Sequence, residues 1–142
     1  MVSPAFFHIN SNGELENNIG TSGKEYVEWA HSNGYKVWPM LQNDGTGMMS
    51  VTSKIMNDYN KRQKLINEIL MACIQYKIDG INLDIENMKQ EDKDMYSRFI
   101  IELEPRLKEI GMTYISKQER QKSNRVKVIQ LKVNMADLLQ QL

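Results

Sequence analysis

Hydrophobic and polar residues follow each other along this chain in a pattern that predicts strands and helices in turn. Residues 2–9 and 35–41 are strand-like apolar runs, and a cluster of turn residues follows each of them. Apolar residues recur at helical spacing over about 21–32, 59–76 and 91–110. With one further strand before the last helix, the order strand–helix occurs three times. That order is typical of a parallel α/β layer.

The third strand-like run, residues 79–87, has one apolar and one acidic face. In it three apolar residues alternate with three polar ones: Ile81, Leu83 and Ile85 with Asn82, Asp84 and Glu86. Side chains two residues apart point to the same face of a strand, so the polar three are expected together. The run lies between two helices, so the sheet is expected to be parallel with both faces covered. A polar row facing that interior is costly to bury, which predicts a functional site with Glu86, the last residue of the alternation, at the rim.

Two other interpretations of the acidic run stay open. Its oxygen-bearing side chains could bind calcium, although the apolar spacers Leu83 and Ile85 do not fit the calcium-loop pattern. A strand at the edge of the sheet, with its polar face in water, would show the same alternation.

The motif Asp-Gly-x-Asn-x-Asp-x-Glu, starting at Asp79, resembles the signature of glycoside hydrolase family 18, the chitinase-like enzymes. That family usually has a second Asp where this chain has Asn82. In this respect the chain resembles the peptidoglycan-directed branch of the family, in which Asn is usual at this position. That branch includes the spore-cortex-lytic enzymes of endospore-forming bacteria. Residues 2–7 and 36–43 resemble the family's second and third strands, and the resemblance covers about residues 2–111.

The resemblance implies a partial (β/α)8 TIM barrel, comprising about strands 2 to 4 with their helices. A complete barrel takes about 250 residues, and the chain has 142. It is therefore interpreted as a fragment, and open sheet edges are expected to make it self-associate. Residues 1–115 are assigned to the partial catalytic domain. Residues 116–142 are interpreted as a basic, atypical C-terminal tail, without the interleaved aromatics of a nucleic-acid arm.

The implied activity is hydrolysis of β-linked N-acetylglucosamine polymers, peptidoglycan or chitin, by a retaining mechanism in which the substrate's acetamide is the nucleophile. In this resemblance Glu86 is the general acid and base, Asp84 orients the acetamide, and Asn82 hydrogen-bonds Asp84 from below. Asp79 and Gly80 match the start of the motif, with Asp79 as a structural hydrogen-bonding residue. Two alternatives stay open: a sugar-binding, lectin-like derivative of the same fold, and an inactive truncated fragment.

Three further residues are candidate substrate contacts. Trp38 and Phe6 could stack on a sugar ring, and Asn43 follows a predicted strand at the rim where a sugar would bind. For the two aromatic residues the alternative is a place in the core, and for Asn43 it is a turn. His8 and His31 have no partners at metal-ligand spacing, so neither a metal nor another cofactor is expected.

Composition and charge give no indication of nucleic-acid or membrane binding and exclude an internal disulfide. The net charge is zero, which gives no reason to expect nucleic acid or an anionic membrane as partner. No stretch is apolar enough to span a bilayer, and no signal peptide is visible after Met1. Localisation is left open, since the resemblance is compatible with a secreted or spore-associated parent. The single cysteine, Cys73, excludes an internal disulfide and is expected to be buried and unreactive.

Overall fold

The computed structural model describes residues 1–116, which form a five-stranded sheet with helices packed against it. The order across the sheet is β2-β1-β3-β4-β5. The strands are β1 (Phe7–Ile9), β2 (Leu15–Asn17), β3 (Met40–Gln42), β4 (Ile81–Asp84) and β5 (Tyr114–Ser116). All neighbouring strands pair in parallel except β2, which is antiparallel to β1. The predicted α/β class is confirmed, and so is parallel pairing among β1, β3, β4 and β5, whereas the antiparallel β2 makes the sheet mixed. The predictions for residues 117–142 lie outside the described residues.

Four α-helices and one short 3-10 turn, Gln90–Asp92, accompany these strands. The helices are α1 (Gly20–Ser32), α2 (Met48–Met56), α3 (Tyr59–Gln75) and α4 (Lys93–Glu109). The start of α3 is stabilised by Asp58, whose carboxylate accepts a hydrogen bond from the backbone N–H of Lys61. Three helices lie close to their predicted bounds, while α2 and β2 are not predicted. Within residues 1–116 no helix is long and apolar enough to cross a membrane.

The first two predicted strands pair over fewer residues than expected. Both β1 and β3 have only three residues in the sheet. Pro4 and Pro39 supply no backbone N–H, and they interrupt regular pairing before each strand begins. The segments still run side by side, because Val2 and Val37 form an isolated parallel bridge.

Alternation along the strands gives the sheet two chemically different faces. One face packs against helices, and its central row, buried in the main hydrophobic core, consists of Phe7, Leu41 and Leu83. The next row lies on the opposite face and consists of His8, Gln42 and Asp84. The polar row therefore faces away from the helices, on the side where Asn82 also lies.

Cys73 lies on α3 and belongs to the main core. Burial raises the pKa of its thiol to about 12. Because the thiolate is the nucleophilic form of cysteine, the thiol is unreactive at neutral pH. This confirms the prediction of a buried, unreactive cysteine.

Candidate active site

The candidate site lies at the carboxyl end of β4, between β3 and β5 in the sheet. Asn82 is 4% exposed and Asp84 is half-buried, and both lie on the same face of the strand. Glu86 is exposed and follows two residues after the strand has ended. The expectation that Glu86 is the last residue of the strand is therefore wrong. Pairing with β3 ends at Asp84, which lies opposite Gln42, the last residue of β3.

Below the rim, Asn82 connects β4 to the segment that precedes β1. Its Nδ2 donates to Ser3 Oγ over 2.9 Å, and that hydroxyl donates to the backbone oxygen of Trp38 over 2.6 Å. Asp84 Oδ2 accepts a long hydrogen bond of 3.5 Å from Gln42 Nε2. The hydrogen bond from Asn82 to Asp84 implied by the resemblance stays a prediction.

The loop that carries Glu86 is held by Asn43, which follows β3 and is 1% exposed. Asn43 Oδ1 accepts from the backbone N–H of Glu86 over 3.0 Å and of Asn87 over 3.2 Å. Its Nδ2 donates to Thr52 Oγ1 over 2.8 Å and to the backbone oxygen of Asn87 over 2.9 Å. The side chain of Asn87 donates in return to the backbone oxygen of Asn43 over 3.0 Å. This geometry gives no support to the predicted sugar contact of Asn43.

Asp79 holds the opposite, amino-terminal end of β4. Its Oδ2 accepts from the backbone N–H of Val37 over 2.7 Å and lies 2.7 Å from His31 Nε2, at the end of α1. The backbone N–H of Asp79 donates to the backbone oxygen of Val37 over 3.0 Å. The carboxylate therefore ties β4 to the approach to β3 and to α1, which is the structural role expected for it.

Gly80 and Trp38 are in direct contact beneath the site. A Cβ atom placed on Gly80 would lie 2.6 Å from Cδ2 and Cε2 of the Trp38 indole, so only glycine leaves room for the ring. Trp38 is 3% exposed, which matches the alternative of a core residue. Phe6 packs edge-on against Tyr26 of α1, with ring centroids 5.9 Å apart. The structure therefore brings neither aromatic ring into the polar row, and their predicted sugar contacts lack support.

Two members of the polar row, His8 and Gln42, are not among the site residues predicted from the sequence. His8 Nε2 lies 2.8 Å from Oδ1 and 3.0 Å from the backbone oxygen of Asp44, in the loop after β3. The signal that could have identified them is positional, since each lies near the carboxyl end of a strand. Residues 1–116 contain no group of three or more His, Cys, Asp or Glu side chains that could hold a metal ion.

Curated proteins similar to this chain include the cortical fragment-lytic enzyme of Bacillus cereus. The two are 30% identical over 90 residues, which is 63% of this chain and 19% of that protein. Across the curated relatives that match, the chain spans only 19 to 28% of their length.

Solved structures with the same fold include a spore cortex-lytic enzyme and a chitinase. The spore cortex-lytic enzyme SleL of Bacillus megaterium QM B1551 superposes with a TM-score of 0.70 at 21% identity, covering 80% of this chain and 26% of that one. The chitinase of Chromobacterium violaceum ATCC 12472 gives a TM-score of 0.66 at 20% identity, with 81% and 37% covered. These TM-scores show a shared fold.

A family model described as glycosyl hydrolases family 18 matches residues 1–138. That match includes the whole described sheet, the site at the end of β4, and the Asp-Gly-x-Asn-x-Asp-x-Glu motif. The chain therefore belongs to glycosyl hydrolase family 18.

Proposed function

We propose that this chain is part of the catalytic domain of a glycosidase that hydrolyses β-linked N-acetylglucosamine polymers. The observation that carries the proposal is the position of Asp84, the last residue of a parallel strand in a family 18 chain, with Glu86 two residues further. Catalytic groups of parallel α/β folds lie at the carboxyl ends of strands, where loops form the site.

The proposal includes a partial (β/α)8 barrel. In it, β1, β3 and β4 correspond to strands 2 to 4 of the barrel. Their parallel pairing supports this correspondence, and so do the helices between them and the likeness to a chitinase fold. The polar row faces away from the helices, which in a closed barrel is the interior.

In the proposed mechanism Glu86 donates a proton to the glycosidic oxygen as the bond to the anomeric carbon breaks. The carbonyl oxygen of the substrate's acetamide attacks that carbon, and Asp84 orients the acetamide and balances the positive charge of the intermediate. Water then attacks the same carbon as its bond to the acetamide oxygen breaks, which regenerates the acetamide, and the water gives its proton to Glu86, which restores the acid. The exposure of Glu86 supports this role, because a general acid must reach the substrate.

Asn82 has a supporting part in this proposal. It is buried on the same face as Asp84, and its amide carries no charge at any pH. Asp84 is therefore the carboxylate that faces the intermediate from β4. We propose peptidoglycan as the substrate ahead of chitin, because Asn82 matches the peptidoglycan-directed branch and one relative is named a cortical fragment-lytic enzyme.

Replacing Glu86 by glutamine in the natural full-length protein tests this function. The amide keeps the shape of the side chain and removes its acidic proton, so turnover should fall about 100-fold or more. The matched control is Glu91→Gln, an equally conservative change at an exposed glutamate five residues further along, which should leave turnover unchanged. Release of reducing ends from cortex peptidoglycan and from chitin oligomers gives the rate on each substrate.

Two outcomes would contradict the proposal. A Glu86→Gln protein that works at nearly the wild-type rate would remove Glu86 from the chemistry. A wild-type protein that binds both polymers but cleaves neither would favour the sugar-binding alternative.

Asp84→Asn should also lower turnover severely, because the positively charged intermediate then loses its counter-charge.

A further inference from the structure

We infer that Asn43 is a positioning residue that holds the backbone of Glu86, with Thr52 and Asn87 as its partners. This inference rests on the proposed role of Glu86 as the general acid. In this inference Asn43 does not contact the sugar, although such a contact was predicted from the sequence. It acts by holding the loop after β4, which carries Glu86.

Within residues 1–116, strand pairing stops before it reaches Glu86, so in this part of the chain Asn43 supplies support that the sheet does not. The pairing between β3 and β4 ends at Gln42 and Asp84, before the loop reaches Glu86. The backbone N–H of Glu86 donates to Asn43 Oδ1, and its backbone oxygen accepts from the N–H of Met88 over 3.0 Å. Both polar groups of the Glu86 backbone are thus bound, which fixes the direction in which its side chain leaves the chain.

The chemistry at position 43 requires an amide. A primary amide offers two acceptor sites on oxygen and two donor hydrogens on nitrogen, and Asn43 uses all four. Aspartate would keep the acceptors but would direct a carboxylate oxygen at the backbone oxygen of Asn87. In a side chain that is 1% exposed, water cannot replace the lost partner, so the loop must move.

The same count of partners argues against direct sugar binding. A sugar hydroxyl would need a free donor or acceptor on the Asn43 amide, and each site already has a partner within the protein. Breaking one of these bonds to bind a sugar would release the loop that carries Glu86.

Thr52 extends this support into α2. It is 0% exposed, and its hydroxyl accepts from Asn43 Nδ2. The β3–α2 segment and the loop after β4 are therefore joined through one buried amide. Residues 44 positions apart in the sequence, Asn43 and Asn87, hold each other by reciprocal hydrogen bonds.

Hydrogen exchange of the purified chain tests the geometry without any activity. The Glu86 and Asn87 amides should be protected in the wild type. Thr52→Val removes one acceptor at constant shape, and these two amides should then exchange about fivefold faster, as expected for one lost hydrogen bond. Thr52→Ser keeps the hydroxyl and should restore protection. Exchange of both amides at the unprotected rate in the wild type would overturn the inference.

Kinetics of the natural full-length protein test the consequence. Asn43→Asp should lower kcat about 10- to 100-fold while KM stays within about twofold, because a displaced acid slows chemistry more than binding. Thr52→Val should show a smaller fall of kcat, and Thr52→Ser none. The matched control is Asn10→Asp, because Asn10 Oδ1 also accepts two backbone N–H bonds, from Asn12 and Glu14, in the turn after β1.

The variants separate the failure of this inference from the failure of the proposed function. If Glu86→Gln abolishes turnover while Asn43→Asp and Thr52→Val keep the wild-type kcat, only the positioning role is refuted. If Glu86→Gln is active, the proposed function itself fails. A raised KM with unchanged kcat in Asn43→Asp would return Asn43 to the role of a sugar contact. Should Asn43→Asp not fold, the pair of Thr52 variants still decides.

Discussion

Replacing Gly80 by alanine would force a side chain into the space that the Trp38 ring occupies. The new Cβ would lie 2.6 Å from Cδ2 and Cε2 of the indole and 3.0 Å from Cε3. Favourable contacts between carbon atoms are about 3.5–4.0 Å, so the ring or the strand must move by about 1 Å. Trp38 is 3% exposed, so its ring is surrounded by other atoms of the protein. Gly80 is not among the glycines with positive φ, so the effect is steric.

The size of the effect follows from this overlap. Adding a methyl group to a packed core costs typically about 1–3 kcal/mol. Three atoms of a rigid, buried ring are involved, so we expect a loss of about 3 kcal/mol in the free energy of unfolding. For a chain of this length that loss lowers Tm by about 10 °C.

Thermal and urea denaturation followed by circular dichroism would measure this loss in the purified chain. Gly34→Ala is a useful comparison, because a Cβ there meets nothing within 4 Å although φ is +78°. Its cost should be limited to about 1–2 kcal/mol of backbone strain.

A double-mutant cycle with Trp38→Leu isolates the steric contact. Removing the ring should recover much of the cost of Gly80→Ala, so the two losses should not add. Strict additivity, or a Gly80→Ala protein as stable as wild type, would refute the packing explanation for glycine in this motif.

Two further outcomes concern stability and association. The hydrogen-bonded guanidinium of Arg62 holds the pKa of Glu102 below its usual value in the folded protein. The pair therefore stabilises the fold fully at pH values above the pKa of Glu102 in the unfolded chain. This stability is lost as the pH falls through the lower pKa of Glu102 in the folded protein. Glu102→Gln should therefore lower the free energy of unfolding by about 3 kcal/mol at pH 7 and weaken its dependence on pH in the acid range. Glu104→Gln, in the exposed pair with Lys108, should lower it by under about 0.5 kcal/mol. Equal urea midpoints for the two variants would contradict this. We also expect the purified chain to self-associate, because β2 and β5 lie at the edges of the described sheet, and a light-scattering mass of one chain with robust turnover would contradict both this and the partial barrel.

The pattern of apolar and polar residues was sufficient to predict the α/β class and the shared face of Asn82 and Asp84. The alternation from Ile81 to Glu86 has the two-residue period of a strand, so it predicted that Asn82 and Asp84 share a face without knowledge of their neighbours. The positions of α1, α3 and α4 followed from helical spacing in the same way. In contrast, α2 was missed because turn residues precede it, although Met48, Thr52, Ile55 and Met56 have helical spacing and are buried.

Only the tertiary structure decided which polar groups meet. Within residues 1–116, strand pairing of β4 stops at Asp84 and leaves Glu86 beyond the strand, although the alternation in the sequence continues to Glu86. The role of Asn43 depends on two loops that come together across 44 residues. The buried position of the Trp38 ring likewise depends on Gly80, which leaves room for it. A sequence by itself determines side-chain chemistry and local periodicity. Hydrogen-bond partners and burial at this site arise from register between distant strands, which is set when the whole sheet packs.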